Sequence, residues 1–209
     1  MSVVATGRIF VLSAPSGAGK TVLAEAAQAR LPQLKRAVTH TTRPPREGEV
    51  DGVDYHFAEI DTMRAEIAEG KFLEHADVFG KLYGTSIAAV DKVLAAGQDV
   101  LLVIDVQGAA AIRAKRPDAR LIFVLPPSRA ELERRLSGRG TDAPEVIARR
   151  LSEAASEIRH AEEFDDVLVN DDLETAISEL VGLFQAPAGA PPQRPADLAA
   201  RIAALVQST

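Results

Sequence analysis

Two patterns of apolar residues alternate along this chain. Short, nearly unbroken apolar runs occupy Ile9–Leu12, Val100–Val106 (VLLVIDV) and Arg120–Leu125 (RLIFVL). Runs of this length without a polar alternation predict strands covered on both faces, as in a parallel sheet between layers of helices. Elsewhere the apolar positions recur at helical spacing. They predict helices over Val22–Leu31, over Asp61–Glu69 with Met63 and Ile67 inward, from Ser86 to Ala96, and over Leu173–Phe184 with Ile177, Leu180, Val181 and Phe184 on one side. Asp61 and Ser86 are candidate N-caps, and Gly70 and Gly97 are stops. Asp166–Asn170 (DVLVN) predicts a last short strand. A proline- and alanine-rich linker, Ala186–Pro195, then leads to a final helix over Asp197–Val206.

Two stretches depart from this regime. Between the first helix and Ser86, short strands are predicted at Ala37–Thr41, at Asp51–Phe57 after a turn, and at Phe72–Phe79, with Gly80 turning the chain. Residues 36–86 therefore read as a small strand-rich insert. From Ser128 onward two helices carry Arg129, Arg134, Arg135, Arg139, Arg149 and Arg150, separated by the turn Ser137-Gly138-Arg139-Gly140-Thr141, and the second continues to about Glu163. The expected fold class is α/β, a parallel sheet flanked by helices. The division is core over 1–35, insert over 36–86, core over 87–127, lid over 128–154, core over 155–186, and an appended linker and helix over 187–209.

The chemistry starts where the first strand ends. Arg8–Leu23 reads RIFVLSAPSGAGKTVL: a strand, a loop of small residues (Ala14, Pro15, Ser16, Gly17, Ala18, Gly19), then Lys20 and Thr21 at a helix start. This order builds a phosphate-binding loop. Gly17 and Gly19 let main-chain N–H groups approach phosphate oxygens. The helix N-terminus adds unpaired donors and partial positive charge. Lys20 can reach the outer phosphates, and the Thr21 hydroxyl can ligate Mg²⁺. A lysine at a helix start is electrostatically disfavoured, which also argues for an anion nearby. Ala14 holds the place where such loops usually begin with glycine, so the turn must avoid conformations only glycine tolerates.

Three further groups of residues bear on function, each open to a plainer reading. Arg43 and Arg46 flank Pro44 and Pro45 in a stiffened loop; they suit an anionic group, but such loops are also ordinary solvated turns. Asp105 interrupts an apolar strand near its C-terminal end, the ligand-binding edge of an open parallel sheet, or else caps the next helix. The arginines of 128–151 suit a lid over phosphates, or a salt-bridged hairpin with Glu131, Glu133 and Glu145. Tyr55, Glu74, Tyr83 and Thr85 give the insert polar groups able to face a ligand, although a lone tyrosine is more often a core aromatic with its hydroxyl at the surface.

Composition narrows the partners. The 209 residues carry a net charge of −6, which argues against a general nucleic-acid binder. With no cysteine there is neither a disulfide frame nor a thiolate metal site, which suits a reducing cytoplasm. MSVVATGRIF lacks the basic and long apolar regions of a signal peptide, and no run is apolar enough to span a bilayer.

Taken together, SAPSGAGKT, HTTRPPREGEVDGVDYHF, FLEHADVFGKLYGTS, IDVQG, RLSGRGTD and VNDD resemble the guanylate kinase family, of the bacterial type, from about Gly7 to Phe184. The resemblance implies transfer of the γ-phosphoryl group of ATP to GMP or dGMP with Mg²⁺, in the cytoplasm, and is compatible with a homo-oligomer. It implies that Arg43, Arg46, Tyr55 and Tyr83 bind the GMP phosphate. Glu74 and Asp105 would accept from the guanine N–H groups, with Thr39 and Thr85 at O6 and N7. It also implies that Lys20, Arg135, Arg139 and Arg150 serve the transferring phosphates and that Asn170 contacts the adenine of ATP. Many relatives carry an aspartate at the place of Val103, so the water shell of the metal is expected to be held differently here. Two other readings are a phosphopeptide-binding module built on the same fold, disfavoured because Lys20, Thr21 and the arginines are all present, and a related kinase acting on a sugar phosphate, disfavoured by Glu74, Thr85 and Asp105.

Overall fold

The computed structural model describes residues 7–78, 80–137 and 144–207. Phe79, Arg139 and the glycines beside Arg139 lie outside the described residues. In chain order the elements are β1 (Ile9–Ser13), α1 (Lys20–Arg30), β2 (Leu34–Arg36), β3 (His40–Thr41), β4 (His56–Phe57), α2 (Ile60–Ala68), β5 (Phe72–Val78), β6 (Lys81–Ser86), α3 (Ile87–Ala95), β7 (Asp99–Val103), α4 (Val106–Lys115), β8 (Arg120–Leu125), α5 (Arg129–Ser137), α6 (Pro144–Ile158), β9 (Asp166–Val169), α7 (Leu173–Gln185) and α8 (Leu198–Val206).

Among the described residues, five strands hydrogen-bond in the order β2-β7-β1-β8-β9. The pairs β2 with β7 and β8 with β9 are parallel. β1 is buried throughout and β8 nearly so, as their unbroken apolar runs require. Four more strands form a second sheet in the order β4-β3-β6-β5, in which β5 and β6 are an antiparallel hairpin. Packing divides the chain into two compact units. One ends its first segment at Phe10 and adds Gln33–Leu102 and Gln107–Ala119; the other comprises Val11–Pro32, Val103–Val106 and the chain from Arg120 onward.

Several boundaries differ from the sequence expectation. The strand expected over Ala37–Thr41 is two shorter ones, β2 and β3, and that over Asp51–Phe57 shrinks to β4 plus a single bridge from Asp51 to Tyr55. α2 starts at Ile60, so Asp61 is not its cap but an acid in its first turn, where the helix dipole still favours it. β7 stops at Val103, leaving Ile104 and Asp105 in the loop before α4. α6 ends at Ile158, and one 3-10 turn, Ala161–Glu163, replaces the expected helix continuation. Ser86 does cap α3, accepting from Ala89 N–H at 3.3 Å. The linker is hydrogen-bonded to β9: Val167 N–H donates to Gln193 O at 2.9 Å, and Gln193 N–H to Asp166 Oδ1 at 2.8 Å.

Candidate active site

The second unit carries the loop between β1 and α1. Its two glycines have left-handed backbones, Gly17 at φ 87° and Gly19 at φ 91°. A side chain at either would strain the turn; an added Cβ at Gly19 would also collide with Asn170 Nδ2 at 2.5 Å, and one at Gly17 would sit in tight contact with Leu136 at 3.0 Å. Ala14 is buried, so its methyl is accommodated where a glycine is usual. The loop closes on itself through Ala18 N–H to Pro15 O at 3.1 Å, and α1 begins at Lys20 with Gly19 as its N-cap. Lys20 Nζ donates to Ile104 O at 3.0 Å.

Other elements of the same unit hold this loop. Asn170, buried just after β9, donates from Nδ2 to Ala18 O at 2.8 Å. The Asn170 carbonyl in turn accepts from Arg135 Nη2 at 3.2 Å, while Arg135 Nε binds Glu131 at 2.7 Å. Arg134 first, then Arg135, draws the Glu131 carboxyl down to about 2, so it is ionised at any working pH. α6 reaches the loop at Ser16: Arg150 Nη2 donates to its hydroxyl and its N–H donates to Glu157 Oε2, both at 3.3 Å. Burial pushes the Glu157 carboxyl upward; Lys20 and the Ser16 N–H oppose this, and Asp105 and Glu153 reinforce it. Asp105 and Lys20 therefore both belong to the electrostatic surroundings of Glu157. Thr21 is exposed beside Lys20 at the helix start. Among the described residues no three metal-ligating side chains cluster. A Mg²⁺ ion fits this donor set only in the way it usually binds nucleotides, through phosphate oxygens, water and one hydroxyl such as that of Thr21.

The first unit gathers most of the residues expected to hold the acceptor. The β5–β6 register sets Glu74 opposite Thr85 and Ala76 opposite Tyr83. Thr85 Oγ1 donates to Glu74 Oε1 at 2.6 Å, and both are buried, with exposures of 0% and 4%. Gly84 makes this close hairpin feasible, since a Cβ there would stand 2.9 Å from the Glu74 carbonyl and 2.7 Å from the Phe72 ring. The Tyr55 and Tyr83 rings meet edge to face at 6.2 Å, and the Arg43 guanidinium lies 5.3 Å from the Tyr55 centroid. Thr39 precedes β3 and is half-buried, its carbonyl accepting from His56 N–H at 2.8 Å. Arg46 is exposed.

Glu49 is the functional neighbour that sequence reasoning missed. It accepts from Arg43 Nη2 at 2.7 Å and from Arg46 N–H at 2.7 Å. Arg43 is thereby held even more firmly as a cation, and Glu49 is drawn below the usual carboxylate range, first by that hydrogen bond. A guanidinium has five donors, so Arg43 can keep Glu49 and the Pro44 carbonyl and still serve an anion. Glu49 closes the Arg-Pro-Pro-Arg turn from six positions on, and that spacing was the available signal. Glu157 was missed for a different reason: its approach to Ser16 spans 141 residues of chain.

A glycine loop on a parallel-sheet strand, with a helix-start lysine and arginines on the following helices, defines a P-loop nucleotide kinase. The Guanylate kinase family profile matches residues 6–187. The guanylate kinase of Alkalilimnicola ehrlichii is 53% identical over 180 residues, covering 86% of this chain and 89% of that protein. That of Escherichia coli K12 is 50% identical over 184 residues, covering 87% and 89%. The crystal structure of guanylate kinase from Anaplasma phagocytophilum superposes with a TM-score of 0.70 at 33% identity, covering 88% of each chain. The chain belongs to the guanylate kinase family and is a nucleoside monophosphate kinase. Among the described residues no helix is long and apolar enough to cross a membrane.

Proposed function

We propose that this chain's guanylate kinase activity is in-line transfer of the γ-phosphoryl group of ATP to GMP or dGMP, with ATP on the second unit and the acceptor on the first. The phosphate loop, Ala14–Thr21, cradles the triphosphate with main-chain N–H groups, and Lys20 exchanges the Ile104 carbonyl for phosphate oxygens. Thr21 would hold Mg²⁺, which, when bound, neutralises charge on the β- and γ-phosphates. Arg135 and Arg150 are assigned to the transferring group because both already touch the loop or its brace. Arg139 joins them on the resemblance alone. Asn170 contacts the adenine of ATP on the resemblance alone, and its amide also holds the loop by donating to Ala18 O.

On the acceptor side, Arg43, Arg46, Tyr55 and Tyr83 take the GMP phosphate. Thr39 and Thr85 stand beside guanine O6 and N7, where Thr39 is the donor because the one hydroxyl proton of Thr85 goes to Glu74, and Asp105 serves the amino group. The observation that carries the reading is the buried Glu74 carboxylate, pinned by Thr85 at 2.6 Å. Guanine offers donors at N1 and N2 where adenine offers an acceptor at N1, so a carboxylate there attracts one purine and repels the other. The acceptor phosphate is already an oxyanion, so the protein supplies alignment and charge neutralisation and needs no general base. The absence of cysteine supports a cytoplasmic setting.

The test is a coupled ADP-release assay with GMP, dGMP, AMP and sugar phosphates as acceptors. GMP and dGMP should dominate; comparable turnover of AMP or a sugar phosphate would refute the acceptor. In the same assay Lys20→Ala should collapse turnover while calorimetric GMP binding stays near wild type.

A further inference from the structure

The family match ends at residue 187, yet the chain beyond it is built into the second unit. Its first part is locked beside β9. Arg120 holds the fully buried Asp166 through both carboxylate oxygens at 2.6 and 2.9 Å and also reaches the carbonyls of Ala190 and Pro191 at 3.5 and 3.4 Å. Arg194 donates from Nε to Asp165 O at 3.0 Å and from Nη2 to Phe164 O. With these anchors, α8 packs on α5 and α6 and buries Leu198 and Leu205. Arg129, the first residue of α5, donates to Leu205 O at 3.4 Å.

α5 and α6 are the helices that touch the phosphate loop. Leu132 and Leu136 of α5 lie 3.1 and 3.0 Å from where a Gly17 Cβ would be, Arg135 binds Asn170 O, and Arg150 of α6 binds Ser16 Oγ. We propose that the appended segment is a positioning element of the phosphoryl-transfer site: α8 fixes α5 and α6 so that Arg135 and Arg150 keep their register with the loop. The proposal rests on the roles given above to those two arginines. Its physical basis is that transferring groups must be held within a fraction of an ångström, and that rigid supporting elements do this.

The test perturbs α8 at its buried face, at a residue given no contact with a nucleotide. Leu205→Asp places a charge in the α8 contact; Leu205→Ala is a milder version should the first fail to fold, and Leu205→Met conserves volume. Well below the melting temperature, Leu205→Asp should lower kcat/KM for ATP about 10-fold, since misplacement by about 1 Å can cost up to 10²-fold. GMP affinity by calorimetry should stay within about twofold, because its proposed ligands are mostly in the other unit. Leu205→Ala should show a smaller loss in the same direction, and Leu205→Met should restore wild-type values. A lowered melting temperature with unchanged kcat and ATP KM would make the tail merely structural and overturn the proposal, as would a loss of calorimetric GMP affinity as large as the loss in kcat/KM for ATP. Inactivity of the wild-type chain toward GMP would instead sink the functional reading, so the two failures are distinguishable.

Discussion

Replacing Glu74 by glutamine isolates the guanine-selecting interaction. The side chain keeps its size, so the 4% exposed site and the β5–β6 hairpin should hold. What changes is its hydrogen-bonding capacity. A carboxylate is acceptor-only, with about four lone-pair positions; Thr85 Oγ1 uses one on Oε1 at 2.6 Å, and an acceptor-only group suits donors such as guanine N1–H and N2–H. In the Glu74→Gln variant one end of the side chain becomes a double donor. If its oxygen stays with Thr85, the amide N–H groups face the guanine donors. If the amide turns, its N–H donates to Thr85, whose hydroxyl becomes the acceptor, and one neutral bond to guanine survives. The second arrangement costs less. It exchanges a charge-assisted bond worth roughly 1.5–3 kcal/mol for a neutral one worth roughly 0.5–1.5 kcal/mol, a loss of about 1–2 kcal/mol.

That loss corresponds to roughly a 5- to 30-fold drop in kcat/KM for GMP, since about 1.4 kcal/mol is tenfold. AMP should move the other way, because adenine N1 is an acceptor that meets a repelling carboxylate in the wild type and an amide donor in the variant. The GMP-to-AMP preference should therefore shrink on the order of 10²-fold, within the range that paired polar groups can discriminate. Coupled ADP release with each acceptor measures both numbers, and a thermal melt confirms folding. The ATP KM should not change. If the variant kept the full preference for GMP while folding normally, Glu74 would not read the base.

Two further variants test the loop and its electrostatics. Gly19→Ala forces an alanine to φ 91° and its Cβ to within 2.5 Å of Asn170 Nδ2, so left-handed strain of about 1–2 kcal/mol adds to about 1 kcal/mol for the lost Asn170 to Ala18 bond. Urea denaturation should show destabilisation by roughly 2–3 kcal/mol, and a value near zero would mean the loop is not braced as described. Glu157→Gln tests the half-buried acid. The folded chain binds the Glu157 proton more tightly than the unfolded chain does, so its favourable contribution is complete below the ordinary 4.5 and is lost as pH rises through the elevated value. The variant, neutral at every pH, should thus melt higher than wild type at pH 7–8 and equal to it below about pH 4, where the wild-type carboxyl is protonated. A difference in melting temperature independent of pH would contradict this.

How much of this was legible in the sequence follows from how far each interaction reaches along the chain. The phosphate loop was legible because its parts are contiguous: β1, two glycines with positive φ, and Lys20 at the head of α1 lie within twelve residues from Ile9. The apolar runs of β7 and β8 were legible for the same reason. Boundaries set by a single turn, such as the start of α2 at Ile60 and the end of α6 at Ile158, shifted because neighbouring residues could serve almost as well. The pairing of Glu74 with Thr85 spans 11 residues and needs the bulge between Phe72 and Glu74 to set its register, which alternation alone does not supply.

The order of the tail likewise depends on residues outside its own neighbourhood. Ala186–Pro195 has the composition of a proline- and alanine-rich linker, and judged locally it has little to pack with. It is held because Asp166 is buried on a strand and needs partners there: Arg120, 46 residues earlier, supplies one, and the Gln193 N–H, 27 residues later, supplies another. An unpaired carboxylate in that position would be costly, so the strand acid dictates where the tail must lie. Composition had classed the segment by what it lacks, whereas its conformation follows from the hydrogen-bonding demand of a residue elsewhere. The same logic explains why α8 lies on α5 and α6: once Gln193 and Arg194 are fixed beside β9, only three residues separate Arg194 from Leu198, and the apolar face of α8 must find cover within that short reach.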